Sequence, residues 1–163
     1  MTASPLHPAL EPLADLVGSF EGDGVGDYPT IERFDYRERI TFEHVGQPVL
    51  AYEQRTWHPV SGAPMHGERG YLRPADDGHV EFTIAHGFGI TELQEGALET
   101  DDDGRFLLRL GSTRLGAAST AKAVGRVSRV LRFDADRVDY DLWMAYADVP
   151  ETHHLAATLW RVS

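Results

Sequence analysis

Between Glu32 and His44, the side chains of Phe34, Tyr36, Ile40 and Phe42 alternate with Arg33, Asp35, Arg37, Arg39 and Thr41. A strict period of two sends alternate side chains to opposite faces, so this run is an extended strand with one buried face. Eight further short runs carry strand character: Val49–Trp57, Gly67–Arg73, His79–His86, Gly89–Gln94, Phe106–Leu110, Ala121–Phe133, Arg137–Ala145 and His154–Val162. Turn-forming stretches such as Pro74-Ala75-Asp76-Asp77-Gly78 and Asp101-Asp102-Asp103-Gly104 separate several of them, and hairpin-length connections of this chemistry join antiparallel neighbours. With a glycine-rich first strand, the count reaches about ten. Closing ten antiparallel strands on themselves removes the aggregation-prone edges, so the expected fold is an all-β, up-and-down barrel; a two-sheet sandwich is the alternative. Ahead of it, Leu10, Leu13, Leu16 and Val17 are spaced to cover one face of a short N-terminal helix that would plug or cover one end. Residues 1–9 read as a flexible lead-in and 10–163 as one barrel domain, without internal repeats.

Charge and composition narrow the partners. The chain has 163 residues, of which 42% are hydrophobic, enough for one domain with a real core. A formal net charge of −11 opposes binding to a nucleic-acid backbone or an anionic membrane surface. No apolar run is long enough to span a bilayer, and no basic-then-apolar leader is legible, so a cytoplasmic protein is expected. Apolar alternation on exposed strands would suit a homodimer.

Cysteine is absent, which leaves imidazole as the handle for a transition metal or a haem iron. His154 is placed for this, at the start of the last strand, where a polar boundary residue is the plainer reading. Its face of a regular strand also carries Ala156 and Thr158, small enough to let a flat ligand approach, while Leu155, Ala157 and Leu159 take the other face. His153 would then point away from His154. Among the other histidines, His7, His58 and His79 read as solvated, His44 as structural, and His86, beside Gly87-Phe88-Gly89, as a candidate for a pocket mouth. No His-x-His or His-Glu-x-x-His spacing suggests a non-haem metal centre. The acidic run 101–103 reads as a solvated turn, and no Gly-x-Ser-x-Gly elbow is present.

The first strand is unusual. Gly18, Gly22, Gly24 and Gly26 punctuate it, which implies tight coiling, a bulge or the close approach of another group. It lacks the Gly-Lys-Ser/Thr ending of a phosphate loop. Tyr28-Pro29-Thr30-Ile31 follows, placing a ring, a fixed φ and a hydroxyl where the chain turns. The whole stretch from Gly18 to Ile31 resembles the nitrobindin signature GxWxGxGxGxYPTI. Further blocks resemble the same family in the same order: Phe42-Glu43-His44-Val45-Gly46-Gln47-Pro48, Pro64-Met65-His66-Gly67-Glu68-Arg69-Gly70-Tyr71-Leu72-Arg73, Thr120-Ala121-Lys122, Met144-Ala145 and His154-Leu155-Ala156-Ala157-Thr158-Leu159.

The resemblance runs from about Leu10 to the C-terminus. It implies a barrel related to fatty-acid-binding proteins that holds one ferric haem b per subunit, binds nitric oxide and isomerises peroxynitrite to nitrate. On that reading His154 is the axial iron ligand and the catalytic centre, Thr30 contacts the haem, Met65 and His66 contribute to the distal side, and Lys122 pairs with a propionate. One departure stands out: Phe20 occupies the position of the signature tryptophan and lacks its indole N–H donor. Two other functions fit the same residues, a carrier of a fatty acid or other apolar ligand and a haem-based nitric-oxide carrier or sensor without turnover. Haem absorbance separates the first from the isomerase, and nitrate yield separates the second.

Overall fold

The computed structural model describes residues 4–163. Ten strands run in order around a closed antiparallel barrel. They are β1 (Gly18–Tyr28), β2 (Ile31–His44), β3 (Leu50–Trp57), β4 (Pro64–Pro74), β5 (His79–His86), β6 (Ile90–Thr100), β7 (Phe106–Ala117), β8 (Val124–Phe133), β9 (Arg137–Tyr146) and β10 (Val149–Arg161). Each pairs with its sequence neighbour, and β1 closes the ring on β10 through pairs from Phe20–Arg161 to Gly26–Leu155. The barrel expected from the alternation is the observed fold. Of the lead-in, residues 1–3 lie outside the described residues, and Leu6 packs on the core.

A 3-10 helix, Pro8–Leu16, precedes the barrel. Its apolar residues recur every third position, which suits a helix of three residues per turn because side chains three apart eclipse. Leu10, Leu13 and Leu16 therefore form one ridge, fully buried against Phe20, Phe42, Leu50 and Leu72. Each buried leucine contributes about 1.5–3 kcal/mol. This ridge plugs the barrel end where β1 begins. The His7 ring accepts the Ala9 N–H at 3.2 Å and caps the helix.

The Phe20 substitution has a local counterpart. The Arg161 guanidinium lies over the Phe20 ring, 4.5 Å from its centroid. From there it donates to the carbonyls of Asp15 at 2.7 Å and Val17 at 2.8 Å. Backbone acceptors at the helix–barrel junction are thus satisfied by a guanidinium stacked on the ring.

The two ends of the barrel differ in regularity. Every register shift among the ten pairings lies in the half away from the helix: between Gly26 and Tyr28, Arg55 and Trp57, Leu93 and Gln94, Val124 and Arg126, Val149 and Thr152, and His153 and Leu155. Extra residues bend a strand and re-aim side chains, and barrel rims are where they concentrate. That rim is open, and a cavity lies beneath it.

Candidate functional site

A cavity of about 350 Å³ occupies the barrel between the helix plug and the open rim. Its walls include Thr30, Met65, His66, Lys122 and His154, so all five residues singled out in the sequence converge on one space. Thr30, Met65 and Lys122 are exposed at the rim, and His66 and His154 are half-buried.

The position of His154 depends on a bulge. On β10, His153 and Leu155 pair with the adjacent residues Trp143 and Leu142 of β9, leaving His154 as the extra residue. Below the bulge, Leu155, Ala157 and Leu159 face inward. At the bulge the alternation breaks, and His154 joins Leu155 on the cavity wall. His153 faces out, meeting Asp141 Oδ1 at 2.6 Å and the edge of Trp143. A regular strand would have put His154 with Ala156 and Thr158. Those two instead line an outer groove with Asp23, Asp139 and Asp141, so the expectation that they flank the ligand is wrong. Nor does His154 start its strand, which begins at Val149.

The end of β1 sets the orientation of this imidazole. His154 Nδ1 lies 3.2 Å from the Asp27 carbonyl oxygen, which can only accept, so Nδ1 carries the proton. The Tyr28 ring meets His154 edge-on at 5.2 Å, and its hydroxyl donates to the Met144 carbonyl at 3.0 Å. Burial holds the His154 pKa below the ordinary histidine value, against the opposing pull of the Asp27 carbonyl. A neutral ring with its proton on Nδ1 keeps the Nε2 lone pair, the form that binds a metal.

The glycines of β1 shape the wall beside it. Gly24 pairs with Tyr36 and Gly26 with Phe34. A Cβ on Gly24 would lie 2.2 Å from the Tyr36 ring, and one on Gly26 would lie 2.1 Å from the Phe34 ring. Both rings line the cavity, and they can lie flat on β1 only because no side chain intervenes.

The deeper part of the barrel holds a buried polar network that was not anticipated, apart from His86, which lines the cavity as its place beside Gly87-Phe88-Gly89 suggested. Arg129 on β8 donates from Nη1 to Glu68 Oε1 at 2.9 Å and from Nη2 to both Glu92 oxygens at 3.3 Å. Burial favours neutral carboxyls here, but the Arg129 charge and hydrogen bonds from His66 and His86 outweigh it and hold Glu68 and Glu92 ionised. His86 Nε2 lies 2.5 Å from Glu92 Oε1, and Tyr52 donates to Glu68 Oε1 at 2.7 Å. Glu38 accepts from Gln54 at 2.9 Å and from the Tyr140 hydroxyl at 2.7 Å, which is 2.8 Å from the Tyr36 hydroxyl. Burial, with the Glu68 charge adding to it, pushes Glu38 up to about 7 against the pull of its Tyr140 and Gln54 hydrogen bonds and of Arg129. The sequence signal for these residues is a polar side chain in an inward slot, as at Glu38 between Tyr36 and Ile40.

The chain matches, over residues 9–161, the family described as THAP4-like, heme-binding beta-barrel domain. It belongs to this nitrobindin family. Among the family's relatives, a protein named peroxynitrite isomerase from Nocardia farcinica is 49% identical over 96% of this chain and 92% of its own length. An Arabidopsis thaliana protein named peroxynitrite isomerase Rv2717c is 41% identical over 95% of this chain and 90% of its own. The crystal structure of Rv2717c from M. tuberculosis superposes with a TM-score of 0.93 at 42% identity, covering 98% of this chain and all of that one.

Proposed function

We propose that this protein is a cytoplasmic peroxynitrite isomerase working with one ferric haem b in the barrel cavity, and that it also takes up nitric oxide. The observation that carries the proposal is the bulged His154, whose proton is committed to the Asp27 carbonyl and whose Nε2 lone pair belongs to a neutral ring on the cavity wall. In this reading His154 would hold the iron through Nε2. Thr30, Met65 and His66 contact the haem, and the exposed Lys122 at the rim pairs with a carboxylate of the cofactor. Bound iron supplies a Lewis-acidic, redox-active centre for a small nitrogen–oxygen ligand.

The chain's own residues perform the rest. Asp27 and Tyr28 fix the ring of His154, and Phe34, Leu142, Met144 and Leu155 give an apolar wall that limits water. The fatty-acid carrier is disfavoured because the charge of Arg129, the buried cation of this cavity, is already balanced by Glu68 and Glu92. The test is an absorption spectrum on adding haemin, followed by stopped-flow decay of peroxynitrite scored as nitrate. Wild type should develop a Soret band and accelerate the decay, His154→Ala should lose both, and the outward-facing His153→Ala should keep both. Unchanged spectra and turnover in His154→Ala would remove the ligand assignment, and a Soret band without nitrate production would favour a nitric-oxide carrier.

A further inference from the structure

A second group of donors converges deeper in the cavity. His66 and Glu68 share one face of β4, and β5 brings His86 directly opposite Glu68. Three atoms meet there. His66 Nε2 is 3.2 Å from His86 Nδ1 and 3.4 Å from Glu68 Oε2, and His86 Nδ1 is 3.1 Å from Glu68 Oε2. Donors about 2.0–2.1 Å from a common ion stand about 3.3–3.4 Å apart in tetrahedral geometry and about 3.0 Å apart in octahedral geometry. The observed triangle has the edges of a metal coordination face.

Proton counting points the same way. His86 Nε2 faces the Glu92 carboxylate at 2.5 Å and so carries the ring proton. In a neutral imidazole the opposite nitrogen, Nδ1, then presents a lone pair to the Glu68 oxygen, which also only accepts. His66 can supply one proton through Nε2, which serves one of those two acceptors. One acceptor is left facing another unless His86 is an imidazolium or a cation fills the gap. The supporting partners are those that orient metal ligands: a carboxylate on the far nitrogen of His86, and Tyr52 with Arg129 on the far oxygen of Glu68.

We propose that His66, Glu68 and His86 form a second metal site, for a divalent transition ion of the Fe²⁺, Co²⁺ or Zn²⁺ class. Two imidazoles and one carboxylate on one face suit such ions and leave coordination positions open. The charges fit as well. Glu68 and Glu92 against Arg129 leave one net negative charge, which a divalent ion reverses, so an open position would favour a small anion entering the cavity. The site stands on these three donors alone; it shares His66 with the haem reading but not the iron ligand His154, so the two readings fail separately.

The test uses the full chain, stripped with chelator and free of haem, titrated with Co²⁺ by visible absorption and with Zn²⁺ by calorimetry. One saturating equivalent with a cobalt d–d band is expected. His66→Ala and His86→Ala, each checked for native circular dichroism, should weaken binding at least about tenfold, while His154→Ala should bind as wild type does. Should either histidine variant fail to fold, Cu²⁺ bound to the wild-type chain should show electron paramagnetic resonance hyperfine coupling from two imidazole nitrogens. No saturable equivalent would mean that a protonated His86 fills the gap, and would overturn the proposal. So would affinity indifferent to both substitutions, binding lost in His154→Ala, or a copper signal without two nitrogens. Cobalt binding in a chain that takes no haem would leave this site standing and sink the haem reading instead.

Discussion

Gly24→Ala is the substitution whose cost can be worked most directly from the cavity wall. The new methyl would sit 2.2 Å from Cζ, 2.4 Å from Cε2 and 2.6 Å from the hydroxyl oxygen of Tyr36. Carbon atoms rest no closer than about 3.5 Å, so the ring must move by more than about 1 Å. That ring is 2% exposed, and its hydroxyl is 2.8 Å from Tyr140. The displacement would carry this contact past the hydrogen-bond limit of about 3.5 Å. Overpacking costs about 1–3 kcal/mol and a buried hydroxyl left unpaired about 1–3 kcal/mol more. For a chain of this size each kcal/mol moves Tm by about 2–4 °C, so the melting temperature should fall by roughly 4–24 °C. Thermal melts by circular dichroism measure this, and a double-mutant cycle with Tyr36→Leu isolates the cause. In the Tyr36→Leu background the alanine should be neutral, or gain the about 0.5–1 kcal/mol that a strand recovers when glycine is replaced. A single variant as stable as wild type, or an equal loss in both backgrounds, would refute the close-approach account of the glycine.

Other perturbations give distinct readouts. Burial lifts Glu38 to about 7 from an ordinary 4.5, so the unfolded chain loses this proton first and wild-type stability falls as pH climbs through that window. Glu38→Gln should flatten that slope between pH 4.5 and about 7, measured by denaturant unfolding at several pH values; an unchanged slope would place the titration elsewhere. Leu13→Ala in the fully buried ridge should cost about 2–5 kcal/mol in the same assay, and a loss under about 1 kcal/mol would mean the helix is no structural plug. Arg161→Met should lower Tm by freeing the Asp15 and Val17 carbonyls, with a Phe20→Trp partner substitution recovering part of the loss if an indole N–H can reach the same acceptors.

The barrel was legible because alternation survives wherever one face is buried, and β2 states it plainly. The helix was legible as well, although its threefold leucine spacing belongs to the tighter 3-10 form. Thr30, Met65, His66, Lys122 and His154 could be gathered from ordered sequence blocks, and one cavity unites them. The direction of His154 could not be read, because one added residue in β10 reverses the parity that alternation relies on. The inner network was missed for a different reason. His86 lies far from His66 in sequence and reaches it only through the β4–β5 register, so a search for closely spaced histidines passes over it. Glu38, Glu68, Glu92 and Arg129 are charged, and charge read one strand at a time suggests solvent, whereas here the partners come from across the barrel.

Confining every pairing irregularity to one half of the cylinder has an evolutionary consequence. The plugged half is an unbroken lattice, where inserting or deleting a residue would throw a whole strand out of step. The open half already absorbs such offsets, so lineages can lengthen, shorten or re-aim segments there while the foundation stays untouched. Chemistry at the mouth can therefore diversify without renegotiating the fold beneath it.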